Sequence, residues 1–145
     1  MGFISEILNN KILGISMFAW FLAQFLKIFT FSEKKIKFSR IVSSGGMPSS
    51  LSSFVTSLST LVGMELGFNS IEFAIVAVFS IIIMYDASGV RRAVGKQAAV
   101  LNQIIDDLHH KKYIEQKKLK ELVGHTPIEV LFGALLGILT ALILG

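Results

Sequence analysis

Apolar residues fall in four long runs along this chain, separated by short polar breaks and two strongly basic stretches. Residues 12–31, 48–67, 71–88 and 127–144 each approach the length a helix needs to cross a bilayer. That length is about 20 mostly apolar residues, because within hydrocarbon every backbone amide must bond inside its own segment. The pattern predicts four transmembrane helices. The second run, PSSLSSFVTSLSTLVGMELG, is the most polar of the four. Its small residues Ser52, Ser53, Ser57, Ser59 and Gly63 suit a helix packed among neighbours better than one facing lipid, which places it at the centre.

The stretch between the third and fourth runs is too charged to span. Within residues 96–123, Leu101, Ile104, Ile105 and Leu108 recur at three-and-four spacing. This predicts an amphipathic helix lying on the membrane or on the bundle surface, with its lysines toward solvent or anionic headgroups. The expected fold class is all-α: a polytopic membrane protein with about four transmembrane helices and one amphipathic cytoplasmic helix, forming a single domain over residues 1–145.

Composition agrees with the pattern. Of 145 residues, 52% are hydrophobic and only 17% charged, and the mean hydropathy is +0.67, beyond the range of an ordinary soluble domain. There is no cysteine, so neither a disulfide frame nor a thiolate zinc site is available. Glu6, Asn9, Asn10 and Lys11 precede the first apolar run, without the basic n-region and cleavage site of a signal peptide, so that run is expected to be retained.

Charge then orients the chain. The loop at residues 32–45 and the segment at residues 89–126 together hold twelve of the fourteen lysines and arginines. The positive-inside rule puts both in the cytoplasm and both termini outside. This asymmetry accounts for the sequence pI near 9.5 without invoking nucleic acid. Four helices offer few partners to so polar a second span, which leaves room for a homo-oligomer.

The same topology gathers three polar motifs at the cytoplasmic face: SSGGMPSS at residues 43–50, YDASGVRR at 85–92 and GHTPIE at 124–129. Ionisable groups entering a bundle are costly and mark a site by default. A glycine-preceded helix start offers unpaired amides to an anion, guanidinium forks match phosphate oxygens in pairs, and a neutral imidazole can take up a phosphoryl group. Each piece also has a plainer reading. Thr126-Pro127-Ile128-Glu129 is a capping box, His125 can be an interfacial side chain, and Arg91 and Arg92 can be membrane anchors. Gly45 and Gly46 before Pro48 can be a loop and helix start. Lys27, three residues from Gln24 on one helix face, either reaches the site or snorkels to the interface. Asp86 is read as the partner of an arginine rather than a metal ligand, since no compact ligand spacing is present.

GGMPSS, YDASGVRRAVGKQAAVLN and GHTPIEVLFGALLG resemble the signature blocks of the divergent PAP2 family, related to acid phosphatases and vanadium haloperoxidases. The resemblance implies that His125 attacks phosphorus and that Glu129 takes the place of the acid orienting it. It puts Ser49 and Ser50, with Gly46, in the phosphate cradle and makes Arg91 or Arg92 a clamp on the phosphate charge. The lysine-to-Arg-Pro block of the wider PAP2 enzymes is missing, since Arg40 is followed by Ile41; Lys27 is the candidate replacement, with Gln24 and Asp86 in support. Where the resemblance leads one to expect a general-acid histidine, the chain has Leu51, which has no proton to give. General-acid help is typically worth about 10²–10⁴-fold, so an alkoxide leaving group suffers most and a diphosphate least. The implied function is a phosphatase acting at the cytoplasmic face on a lipid phosphate or isoprenoid diphosphate, with no metal or other cofactor. The alternatives are a non-catalytic protein binding lipid headgroups or a partner through the same face and, further off, a small transporter subunit.

Overall fold

The computed structural model describes residues 2–30, 46–109 and 124–145. The expectations for the loop at residues 32–45, and for residues 110–123 of the amphipathic segment, lie outside the described residues. Among the described residues six helices follow one another: α1 (Phe3–Leu8), α2 (Lys11–Thr30), α3 (Ser50–Leu66), α4 (Ile71–Ser88), α5 (Val90–His109) and α6 (Pro127–Leu144). No strand occurs among the described residues, and the fold is all-helical.

Local chemistry sets the helix ends. Ser49 caps α3, its hydroxyl accepting from the Ser52 N–H, and the helix stops at Gly67, whose φ of +92° suits glycine. Ser70 caps α4 in the same way through the Phe73 N–H. At α6, Thr126 and Glu129 form a reciprocal capping box with Pro127 in the first turn.

Helix α3 is the centre of the bundle, packed on α2, α4 and α6. Its hydroxyl groups are the adhesive. The Ser53 hydroxyl donates to the Ala19 carbonyl of α2 (3.0 Å), Thr56 to the Ala134 carbonyl of α6 (3.1 Å), and Ser80 of α4 to the Val55 carbonyl (3.0 Å). Small residues permit this closeness. A Cβ added to Gly133 would run into the Ser49 carbonyl, and one added to Gly137 into the Ser53 carbonyl and the Thr56 hydroxyl. Outside, Phe21, Phe29, Phe79, Ile82, Leu131 and Ile143 are exposed, as a hydrocarbon solvent would require.

Two features refine the expectation. Among the described residues three stretches are long and apolar enough to cross a membrane: Lys11–Phe29, Ile71–Ile105 and Pro127–Leu144. The sequence predicts four. Helix α3, with 17 residues, is about 25 Å long against a hydrocarbon core of about 30 Å, and its serines and threonines lower its hydropathy further. The amphipathic helix begins at Val90 rather than at residue 96, because Gly89 alone separates it from α4. On it Gly95, Ala98 and Asn102 are buried while Val94, Leu101 and Ile104 remain exposed.

Candidate functional site

The end of α2, the start of α3, the α4–α5 junction and the start of α6 meet at one end of the bundle. The Ser53–Ala19 bond aligns α2 with α3, and beyond it Lys27 reaches the first turn of α3. Its Nζ donates to the Ser50 hydroxyl at 3.4 Å, and the lysine is only 2% exposed. Ser49 is buried beside it, accepting from both the amide and the hydroxyl of Ser52. Gly46, three residues before the cap, has φ +91°, which explains glycine at that point of the GGMPSS stretch.

His125 is fixed through its backbone. Its N–H donates to the Ala87 carbonyl (3.1 Å) in the last turn of α4, where helix carbonyls lack partners of their own. Gly124 lies so close to the Arg92 backbone that any side chain there would collide with it. The imidazole that follows is 2% exposed, and neither ring nitrogen has a hydrogen-bond partner. Burial pushes its pKa below the ordinary histidine value; Lys27 and Arg91 push the same way, against the pull of Glu129. The ring is therefore neutral at physiological pH, with a lone pair on one nitrogen.

Glu129 serves the cap. Its Oε2 accepts from the Thr126 N–H at 2.9 Å, while the Thr126 hydroxyl accepts from the Glu129 N–H at 3.3 Å. Its backbone carbonyl accepts the Ser49 N–H at 2.9 Å, a contact that the missing side chain of Gly133 makes room for. The carboxylate makes no hydrogen bond to the imidazole, but its charge acts on both His125 and Lys27.

The remaining candidates lie further out. Arg91 Nε pairs with Asp86 Oδ2 at 2.8 Å on the solvent side, the arginine pairing read for Asp86 from the sequence. Arg92 is exposed, and Leu51 is half-buried in the first turn of α3. Gln24 presents a buried Oε1 with no hydrogen-bond partner, one turn before Lys27. The structure thus gathers Lys27, Ser49, Ser50, His125 and Glu129, with Gln24 near, and leaves the two arginines at the rim. Among the described residues no group of three or more His, Asp or Glu side chains could hold a metal ion. A separate cavity of ≈ 130 Å³, lined by Lys11, Leu61, Met64 and Glu65 among others, lies at the opposite end of α2 and contributes nothing here.

Two positioning features escape the sequence reading. Gly133 and Gly137 set the α3–α6 distance and hence where Ser49 meets Glu129; the GALLG spacing at residues 133–137 was the available signal. Gly124 sets the approach to Arg92, and nothing in its flanking residues distinguishes it from a helix-start glycine.

A bundle of apolar helices around a hydroxyl-rich central one, with a buried lysine and histidine at one end, defines an integral membrane protein with a polar site at its helix ends. Residues 8–140 match the Divergent PAP2 family, and the chain belongs to it. It is also similar to the uncharacterized membrane protein YuiD of Bacillus subtilis (strain 168), with 45% identity covering 96% of each chain. No solved structure matches the chain.

Proposed function

We propose that this protein is a membrane phosphatase that hydrolyses a lipid phosphate or isoprenoid diphosphate, with His125 as nucleophile. The observation that carries the reading is the His125 ring itself: buried, neutral and without a partner on either nitrogen, within the field of Lys27, which bonds Ser50. A buried polar group left unbonded costs about 1–3 kcal/mol, and such exceptions call for an explanation. An incoming phosphoryl group supplies one. Lys27, Ser49 and Ser50 would receive its oxygens at the α3 start, and Arg91 and Arg92 would attract the headgroup from the rim, on the cytoplasmic side by the positive-inside bias. The substrate is a lipid and nucleic acid is not a partner; self-association would supply further packing for the polar helix.

The second reading is a non-catalytic headgroup-binding protein. It is favoured by Leu51 and by the Glu129 carboxylate, which is engaged in the helix cap rather than on the imidazole. Phosphate release from lipid monophosphates and isoprenoid diphosphates, compared among the unaltered protein, Leu51→His and His125→Ala, separates the two. The phosphatase reading expects release by the first, faster release by Leu51→His and none by His125→Ala. Headgroup binding with no release by any of the three would establish the binder.

A further inference from the structure

We propose that Lys27 is the proton donor to the leaving group, filling the part for which Leu51 has no proton; this rests on the phosphatase reading above. Ser50, the residue next to Leu51, is the one whose hydroxyl accepts from Lys27 Nζ. The ammonium therefore lies at the first turn of α3, the turn that also carries position 51. It is 2% exposed, buried within the bundle near the end of an apolar span, where a cation is retained only at a cost and for a purpose. Its charge acts on the His125 ring, so the two groups share one polar enclosure.

The other nearby groups cannot take the part. A guanidinium does not give up a proton, which removes Arg91 and Arg92, whereas a lysine ammonium does so readily in a protein interior. His125 is committed as nucleophile. Glu129 is held in the cap, where its Oε2 accepts the Thr126 N–H.

The step balances. A lone pair on a His125 ring nitrogen forms the N–P bond as the P–O ester bond breaks, and that electron pair stays on the departing oxygen. Lys27 Nζ passes one proton to this oxygen, giving an alcohol and a neutral amine. In the second half, water oxygen attacks phosphorus and the N–P bond breaks. The Lys27 amine takes the proton from that water, which restores the ammonium and releases phosphate.

The test is a leaving-group comparison with Lys27→Arg, which keeps the positive charge and loses the transferable proton. An alkyl phosphate departs as an alkoxide, while phenyl phosphate departs as a phenol with pKa about 10, like a tyrosine side chain. Lys27→Arg should lose about 10²–10⁴-fold on the alkyl ester and at least about ten-fold less on the phenyl ester. The ratio of the two rates within one preparation is independent of how much protein is folded. Adding Leu51→His to Lys27→Arg should restore alkyl turnover. Equal losses on both esters, or retained alkyl turnover in Lys27→Arg, would make Lys27 a charge only and overturn the assignment. Should Lys27→Arg fail to fold, the unaltered protein decides over a series of phosphate esters. A shallow dependence of rate on leaving-group pKa supports an internal donor, and a steep one overturns it. Absence of release by both the unaltered protein and Leu51→His would instead remove the phosphatase reading, and this assignment with it.

Discussion

Replacing Gly133 with alanine tests whether the α3–α6 contact positions the site. The added Cβ would strike the Ser49 carbonyl oxygen and lie 3.0 Å from both the Ser49 carbonyl carbon and its Cβ. These obstacles are mostly backbone, so the helices must part rather than a side chain swing away. Overpacking of this kind costs about 1–3 kcal/mol. Parting the helices also weakens the 2.9 Å bond from Ser49 N–H to the Glu129 carbonyl, worth about 0.5–1.5 kcal/mol. Against these, alanine gains about 1 kcal/mol over glycine in a helix. The net is a destabilisation centred near 2 kcal/mol, about a thirty-fold rise in the unfolded fraction. Denaturant unfolding in mild detergent measures it, with Gly14→Ala as the control: Gly14 has nothing within 4 Å of an added Cβ, so only the helix gain applies. On the phosphatase reading, phosphate release should also fall with Gly133→Ala, because Ser49 moves relative to Glu129. If Gly133→Ala were as stable as Gly14→Ala and equally active, the close α3–α6 approach would be refuted.

Three further outcomes are expected. His125 titrates below its ordinary value when folded, so the unfolded chain binds its proton first; stability is present above about pH 6.5 and falls as pH drops through the lower folded value. Unfolding temperature measured from pH 7 downward should show this fall, and His125→Gln should flatten it; an unchanged slope would remove His125 as its source. Thr126→Ala should cost about 1 kcal/mol through loss of the cap, read by thermal unfolding, with no change meaning that the capping box of Thr126 and Glu129 does not hold the α6 start. Because the chain has no cysteine, Gly2→Cys and Lys35→Cys report orientation cleanly: an impermeant maleimide should label the first in intact cells and the second only after lysis, and the reverse would overturn the cytoplasmic placement of the basic loops.

The helices were legible where an apolar run ends in its own punctuation. The run at 127–144 coincides with α6 because Thr126, Pro127 and Glu129 announce its start, and the run at 71–88 coincides with α4, between Ser70 and Gly89. The central place of α3 followed from its small hydroxyl residues, but its length fell between the Ser49 cap and Gly67, shorter than the run around it. The start of α5 was read late, since the sequence signal began at the charged stretch while the helix begins directly after Gly89. At the site, the GHTPIE stretch supports a helix cap and a catalytic pair equally well, and only coordinates show the Glu129 carboxylate on the Thr126 amide. The meeting of Lys27 with Ser50, 23 residues apart, depends on helix alignment across an interface that no local pattern encodes.

Sorting the buried polar groups by whether they are satisfied separates packing from chemistry. Ser16 and Thr140 each return a hydroxyl bond to the carbonyl four residues earlier, while Ser53, Thr56 and Ser80 bridge to a neighbouring helix. These groups explain how so polar a helix can occupy the middle of the bundle at little cost, and they need no ligand. Among the described residues the buried side-chain atoms left over are Ser57 Oγ, Gln24 Oε1 and the two ring nitrogens of His125. Nothing in the structure explains Ser57. Gln24 lies one turn from Lys27, and His125 lies within the field of the same lysine, at the end where the family-matching motifs converge. A bundle that satisfies the hydroxyls of Ser16, Ser53, Thr56, Ser80 and Thr140 has the means to satisfy these as well. That it leaves them open beside a buried cation is the physical reason to look for an anionic ligand there rather than among the serines of α3.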